Sequence, residues 1–221
     1  MTTASINLSS GNGDRRAIDV SKLPSSAMDY RSPIWWGNAL LLCIETSMFV
    51  LAITSYFYFR RNFEHWPPPQ VNTSPPEYDA FPYLTIATIN TVLLLLSLIP
   101  MIICDRACKK MNEPLVRAGA TIALLMGVVS IVLRFKEFGA LRFRWDDNVY
   151  GSITWTLLGL HLMHLMVLSC EDGLMVTWIW VKGLDDKHAR DIRVTAVYWY
   201  WVVAIWVLLY AIIYWYPRFV R

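Results

Sequence analysis

Charged residues are scarce in this chain. Asp, Glu, Lys and Arg make up 17% of its 221 residues, whereas about a quarter is usual for a soluble domain. The net charge of +3 is too small and too scattered to suggest nucleic-acid binding. Hydrophobic residues, by contrast, account for 56% of the chain. This composition excludes an ordinary soluble domain and indicates a protein that crosses a membrane several times.

Cysteine and histidine are also few, with four of each. No two cysteines have C-x-x-C spacing, which argues against a disulfide framework or a thiolate metal site. We find no Gly-rich phosphate loop and no Ser/His/Asp nucleophile set. The N-terminal 26 residues lack a basic segment followed by an apolar one. We therefore expect a polar tail on the cytoplasmic side rather than a cleavable signal peptide.

Five long apolar runs dominate the rest of the sequence. They lie near residues 34–59, 82–104, 116–137, 151–181 and 194–216, and each can cross a hydrocarbon core of about 30 Å as a helix. Lys and Arg favour cytoplasmic loops, and they are more numerous on the side that holds the N-terminus. We predict an all-α bundle of five transmembrane helices (residues 34–221) after a cytoplasmic tail (residues 1–33), with the N-terminus inside and the C-terminus outside.

Glu45 interrupts the first run, WWGNALLLCIETSMFV. It follows Trp36 by nine residues, which places it about 14 Å along a helix and near the middle of the membrane. A carboxylate at that depth costs several kcal/mol unless it is neutral, paired or turned toward a cavity. We expect Glu45 to be protonated and to face protein.

The fourth run contains the other unusual polar residues, in GLHLMHLMVLSCEDGLM. Helical periodicity places His161, His164, Glu171 and Asp172 on one face, which should turn toward protein rather than lipid. The acidic pair lies at the inner headgroup boundary if the membrane ends near Cys170. If it ends near Lys182, the pair lies deep and level with Glu45.

The spacing of the two histidines, H-x-x-H, has two explanations. Two imidazoles at this spacing can share a metal, and they can equally satisfy one carboxylate by hydrogen bonds. A hydrogen-bonded pair between Glu45 and one of these histidines is the favoured interpretation. A metal site of Glu45, His161, His164 and Glu171 is the alternative. At the outer end of the third run, Glu137 follows Arg134 and Lys136, and there we predict a surface ion pair.

Several stretches together resemble one family. They are WWGNALLLCIETSMFVLAITSYFYFR followed by WPPP, then RFKEFGAL, DDNVYGSITWTLLGLHLMHLMV and YWYWVVAIWVLLYAIIYW. In this order and spacing they resemble subunit III of the haem-copper terminal oxidases, which include cytochrome c oxidase. The five predicted helices resemble the last five of that family's seven, as in its short bacterial form.

The resemblance implies a subunit without redox centres of its own. Haem and copper would lie in partner subunits of a proton-translocating oxidase, which takes electrons from cytochrome c or quinol. The chain would pack against subunit I in a bacterial inner membrane, bind phospholipid and support proton uptake. Glu45 matches the family's buried carboxylate, and His161 and His164 match its histidine pair.

Two features depart from the family. Tyr200 and Val203 stand where its last helix often has His and Asp. Glu171 and Asp172 are not associated with the family, and we interpret them as an acidic pair that meets another subunit or the inner surface. Two other functions stay open: a partner of a quinol oxidase or nitric oxide reductase, and a free-standing membrane metalloenzyme that uses Glu45, His161, His164 and Glu171.

Overall fold

The computed structural model describes residues 33–69 and 82–219, so almost all of the predicted tail lies outside the described residues. Every regular element within these ranges is helical: α1 (Pro33–Arg60), α2 (Leu84–Lys109), α3 (Glu113–Gly139), α4 (Val149–Lys182) and α5 (Asp186–Tyr210). A π-helical segment (Ala211–Trp215) joins α5 to the short α6 (Tyr216–Phe219). Within the described part of the chain, five helices are long and apolar enough to cross a membrane. The predicted all-α class with five spans is confirmed.

The helices extend beyond the apolar runs that predicted them. Helix α2 continues past Cys104 to Lys109, where basic side chains in the last turn interact favourably with the helix dipole. Side chains cap the N-termini of the two last long helices: Asn148 accepts the amide of Gly151 for α4, and Asp185 accepts the amide of His188 for α5. Such caps satisfy amides that have no partner within the helix.

Helix α5 is central to the bundle. It packs against α2 and α4, while α3 packs against α2 and α4. Two indoles of α5 donate to hydroxyls of α2: Trp199 to Ser97 at 2.9 Å, and Trp206 to Thr91 at 2.8 Å. Hydrogen bonds of this kind link helices where the lipid supplies no hydrophobic drive between them.

Helix α1 is peripheral. It packs mainly against α4, with a smaller contact to α5. Only 11% of its most apolar stretch is buried, against 50% in α4. Few contacts hold α1 in place, so each polar contact that it makes to the other helices contributes a large share of its docking.

Candidate functional site

Glu45 of α1 and His164 of α4 form a hydrogen-bonded pair. The Nε2 atom of His164 lies 2.7 Å from Oε2 of Glu45, and its Nδ1 atom lies 2.6 Å from the carbonyl oxygen of Leu160. Because a carbonyl only accepts, Nδ1 must carry a proton and donate it to Leu160. The bond to Glu45 therefore contains one proton, which belongs either to a carboxylic acid or to an imidazolium.

The low dielectric of the membrane favours the version of this pair without charge separation. Two opposite charges lose more hydration there than they regain by mutual attraction unless further hydrogen bonds support them. In the neutral version, the carboxylic acid of Glu45 donates to Nε2 of His164. The His164 side chain is 9% exposed and that of Glu45 is 22% exposed, so the carboxyl group opens toward the outside of the bundle.

Aromatic rings fix the position of this pair. The His164 ring lies 5.1 Å from the ring of Phe49 and 5.6 Å from that of Trp201. Trp201 also donates its indole N–H to the hydroxyl of Thr46 on α1 at 2.9 Å. These contacts tie α1 to α4 and α5 at the depth of Glu45, and they limit the rotation of the imidazole.

His161 does not join the pair. Its Nε2 atom donates to the carbonyl oxygen of Val202 on α5 at 3.2 Å, and its ring lies 5.0 Å from the Trp206 ring. Glu171 accepts a hydrogen bond from Thr195 of α5 at 2.9 Å. Glu45 and His164 pair with each other, whereas His161 and Glu171 each bond to α5, so the four residues of the metalloenzyme alternative do not converge on one site. Within residues 33–69 and 82–219, no group of three or more His, Cys, Asp or Glu is placed to hold a metal.

Glu171 and Asp172 differ from each other in their surroundings. Asp172 is 1% exposed, and its Oδ2 atom has no hydrogen-bond partner. Neither residue forms an ion pair with a Lys or Arg of the described residues. They lie seven and eight residues beyond His164, or roughly 11 Å along α4. The acidic pair is therefore not level with Glu45.

A second polar cluster, which we call the Arg134 cluster, consists of Arg134, Glu137, Trp206 and Tyr214. Nη1 of Arg134 lies 2.7 Å from Oε2 of Glu137, and the Tyr214 hydroxyl donates to the other carboxylate oxygen. The guanidinium group stacks over the Trp206 ring, with 3.5 Å between Arg134 Cζ and the ring centroid. Arg134 is 0% exposed and Glu137 is 2% exposed.

The prediction of a surface ion pair at Glu137 was therefore wrong about its surroundings. The partner is Arg134, one of the two basic residues that precede Glu137, but both groups are buried beneath the side chains of Trp206 and Tyr214. The i, i+3 spacing of Arg134 and Glu137 was the available signal.

The fold and these two internal clusters define a class. Five apolar helices form one bundle, and most of the polar groups inside it pair with one another rather than facing lipid. This is the organisation of a multi-pass helical membrane protein.

Comparisons with known proteins identify the family. The family model of cytochrome c oxidase subunit III matches residues 26–218. The chain belongs to this family.

Curated relatives of the chain carry the name cytochrome c oxidase subunit 3, and three of them illustrate the similarity. The protein of Pongo pygmaeus is 25% identical over 151 residues, 68% of this chain and 55% of that protein. The protein of Homo sapiens is 26% identical over 155 residues, with the same coverage. The protein of Lumbricus terrestris is 22% identical over 182 residues, 81% of this chain and 69% of that protein. The chain thus spans between about half and two thirds of the length of these relatives.

Proposed function

We propose that the chain is the non-redox subunit III of a bacterial aerobic terminal oxidase, in a complex that reduces oxygen and translocates protons. The match of residues 26–218 to the subunit III family carries this proposal. In it, the chain stabilises subunit I, binds phospholipid and supports proton uptake, while haem and copper belong to partner subunits. Cytochrome c is the proposed electron donor to the complex.

A proton-related role for Glu45 is supported by its hydrogen bond to His164. The bond contains one proton between two groups that can each hold it, and Glu45 is partly open to the surroundings of the bundle. Such a pair can accept or release a proton without moving a helix. We propose that Glu45 and His164 contribute to proton supply as well as to the docking of α1, and that His161 is a structural residue of the bundle core.

The remaining polar residues extend the proposal. With the N-terminus inside, the ends of α2 and α4 at Lys109 and Lys182 lie on the cytoplasmic side of the inner membrane. On that half of α4, Glu171 and Asp172 are proposed to approach a basic group of another subunit. Glu171 is the stronger candidate because its side chain is partly exposed, whereas Asp172 is 1% exposed.

Purification from a membrane in mild detergent, with haem and metal analysis, tests this function. A tagged chain should co-purify with a larger haem-bearing subunit, and oxygen consumption should depend on reduced cytochrome c. The chain alone, expressed without its partners, should contain neither iron nor copper in stoichiometric amounts. Stoichiometric iron or copper in the isolated chain would instead favour the metalloenzyme alternative. Activity with quinol alone would move the proposal to a quinol oxidase.

A further inference from the structure

A lateral groove of about 600 Å³ runs between α2 and α5, and we call it the α2–α5 groove. It is separate from the Glu45–His164 pair and from the Arg134 cluster. Its walls are apolar along most of their length and are formed by Leu95, Leu98 and Ile102 of α2 and by Val203, Ala204 and Val207 of α5. Asp105, Arg106, Lys109 and Tyr200 form the polar end of the groove. The volume is typical of a ligand site.

The polar end has a surplus of positive charge. Asp105 forms ion pairs with two basic residues, Lys109 at 3.1 Å and Arg193 at 3.2 Å. Arg106 is exposed, and it forms no ion pair with a carboxylate of the described residues. Its guanidinium group is therefore available to an anion at the end of the groove.

The groove has the length of one membrane leaflet. Leu95 and Arg106 are eleven residues apart on α2, which corresponds to roughly 16 Å along a helix. This is close to half of a hydrocarbon core of about 30 Å. When Arg106 lies at headgroup depth, the apolar wall therefore covers the depth that an acyl chain occupies in the same leaflet.

We propose that the α2–α5 groove binds one anionic phospholipid. Its phosphate meets Arg106 and Lys109, and an acyl chain lies along the apolar wall. Basic pockets between transmembrane helices are a known type of site for anionic headgroups. A zwitterionic lipid brings its own cation and matches the unpaired Arg106 less well. Val203 lies on the apolar wall and keeps it free of charge.

This inference rests on the phospholipid binding proposed above and adds its location and headgroup class. The test uses the full chain with the subunits that it retains, in nanodiscs of equal parts phosphatidylglycerol and phosphatidylcholine. Lipid that remains bound after transfer to detergent is measured by native mass spectrometry. The wild type should retain one phosphatidylglycerol per chain, in preference to phosphatidylcholine.

Two matched pairs of variants locate the site. Arg106→Gln should lower the preference for phosphatidylglycerol about fivefold, the effect of one basic residue near an anionic headgroup. Lys110→Gln removes the same charge from an exposed residue outside the groove and should not. Ala204→Trp fills the groove and should displace the lipid. Leu208→Trp adds the same ring to an exposed position of α5 outside the groove and should leave the lipid bound.

Three results would overturn the inference. The two lipids could be retained in their bulk ratio, or Arg106→Gln could behave like Lys110→Gln. Ala204→Trp could also release a partner subunit while the phosphatidylglycerol stays bound, which would show that a protein helix occupies the groove. If the wild type retains phospholipid without preferring phosphatidylglycerol, this site alone is contradicted. Absence of any retained phospholipid would contradict the broader lipid-binding proposal as well.

Discussion

Glu137→Ala is expected to be among the most destabilising single substitutions in the bundle. Glu137 accepts from Arg134 and from Tyr214, and the Arg134 side chain is fully buried. Two further nitrogen atoms of Arg134, Nε and Nη2, have no hydrogen-bond partner, so the carboxylate is the main compensation for its charge. Removing one partner of a buried ion pair costs about 3–5 kcal/mol. We expect a loss of unfolding free energy in that range.

A second Arg–Glu pair on the same helix provides the control. Glu113 and Arg117 pair near the other end of α3, with side chains 38% and 31% exposed. Exposed pairs contribute about 0–1 kcal/mol, so Glu113→Ala should have a small effect. The two variants can be compared by unfolding in mixed micelles of mild detergent and sodium dodecyl sulfate, followed by circular dichroism. If Glu137→Ala costs no more than Glu113→Ala, the argument for a charge-compensating role of Glu137 fails.

Two further predictions use the same unfolding measurement. Glu45→Gln should assemble as the wild type does, because an amide can still hydrogen-bond a neutral imidazole. Glu45→Ala should lower the unfolding free energy by about 1–3 kcal/mol, because it leaves His164 without its partner. Equal stability of the two variants would argue against the pair. Gly127→Ala should cost about 1–3 kcal/mol by overpacking, because its added Cβ would lie 2.9 Å from the Trp199 ring. Gly159→Ala meets no atom within 4 Å and should be neutral or stabilising by up to about 1 kcal/mol; a loss as large as that of Gly127→Ala would contradict the packing argument.

The number and class of the helices could be predicted from hydropathy, because the membrane requires about 20 apolar residues for each crossing. The positions of the helix ends could not be predicted from hydropathy. Helix α2 continues to Lys109 and α3 begins at Glu113, since polar residues extend a helix into the headgroup layer without adding to an apolar run. The π-helical segment in Ala211–Trp215 has no hydropathy signal either, although it carries Tyr214 of the Arg134 cluster.

The polar contacts were only partly predictable. The sequence indicated that Glu45 needs a partner and offered two histidines about 60° apart on one helix. Their shared face did not decide which of them meets α1, because that depends on how α4 is rotated within the bundle. In the structure His164 faces Glu45 and His161 faces α5. The burial of Arg134 and Glu137 depends on Trp206 of α5 and Tyr214 of the π-helical segment reaching α3, which are long-range contacts that local spacing does not encode.

The most direct test of the proposed role is to remove this chain from its purified complex and follow oxygen consumption through many turnovers. We expect the remaining subunits to keep their haem spectra and their initial rate, and to lose activity faster than the intact complex. Adding the chain back should slow that loss, and the Glu45→Ala variant should restore it less well than Glu45→Gln. Equal durability with and without the chain would contradict the account. So would an immediate loss of haem or copper when the chain is removed.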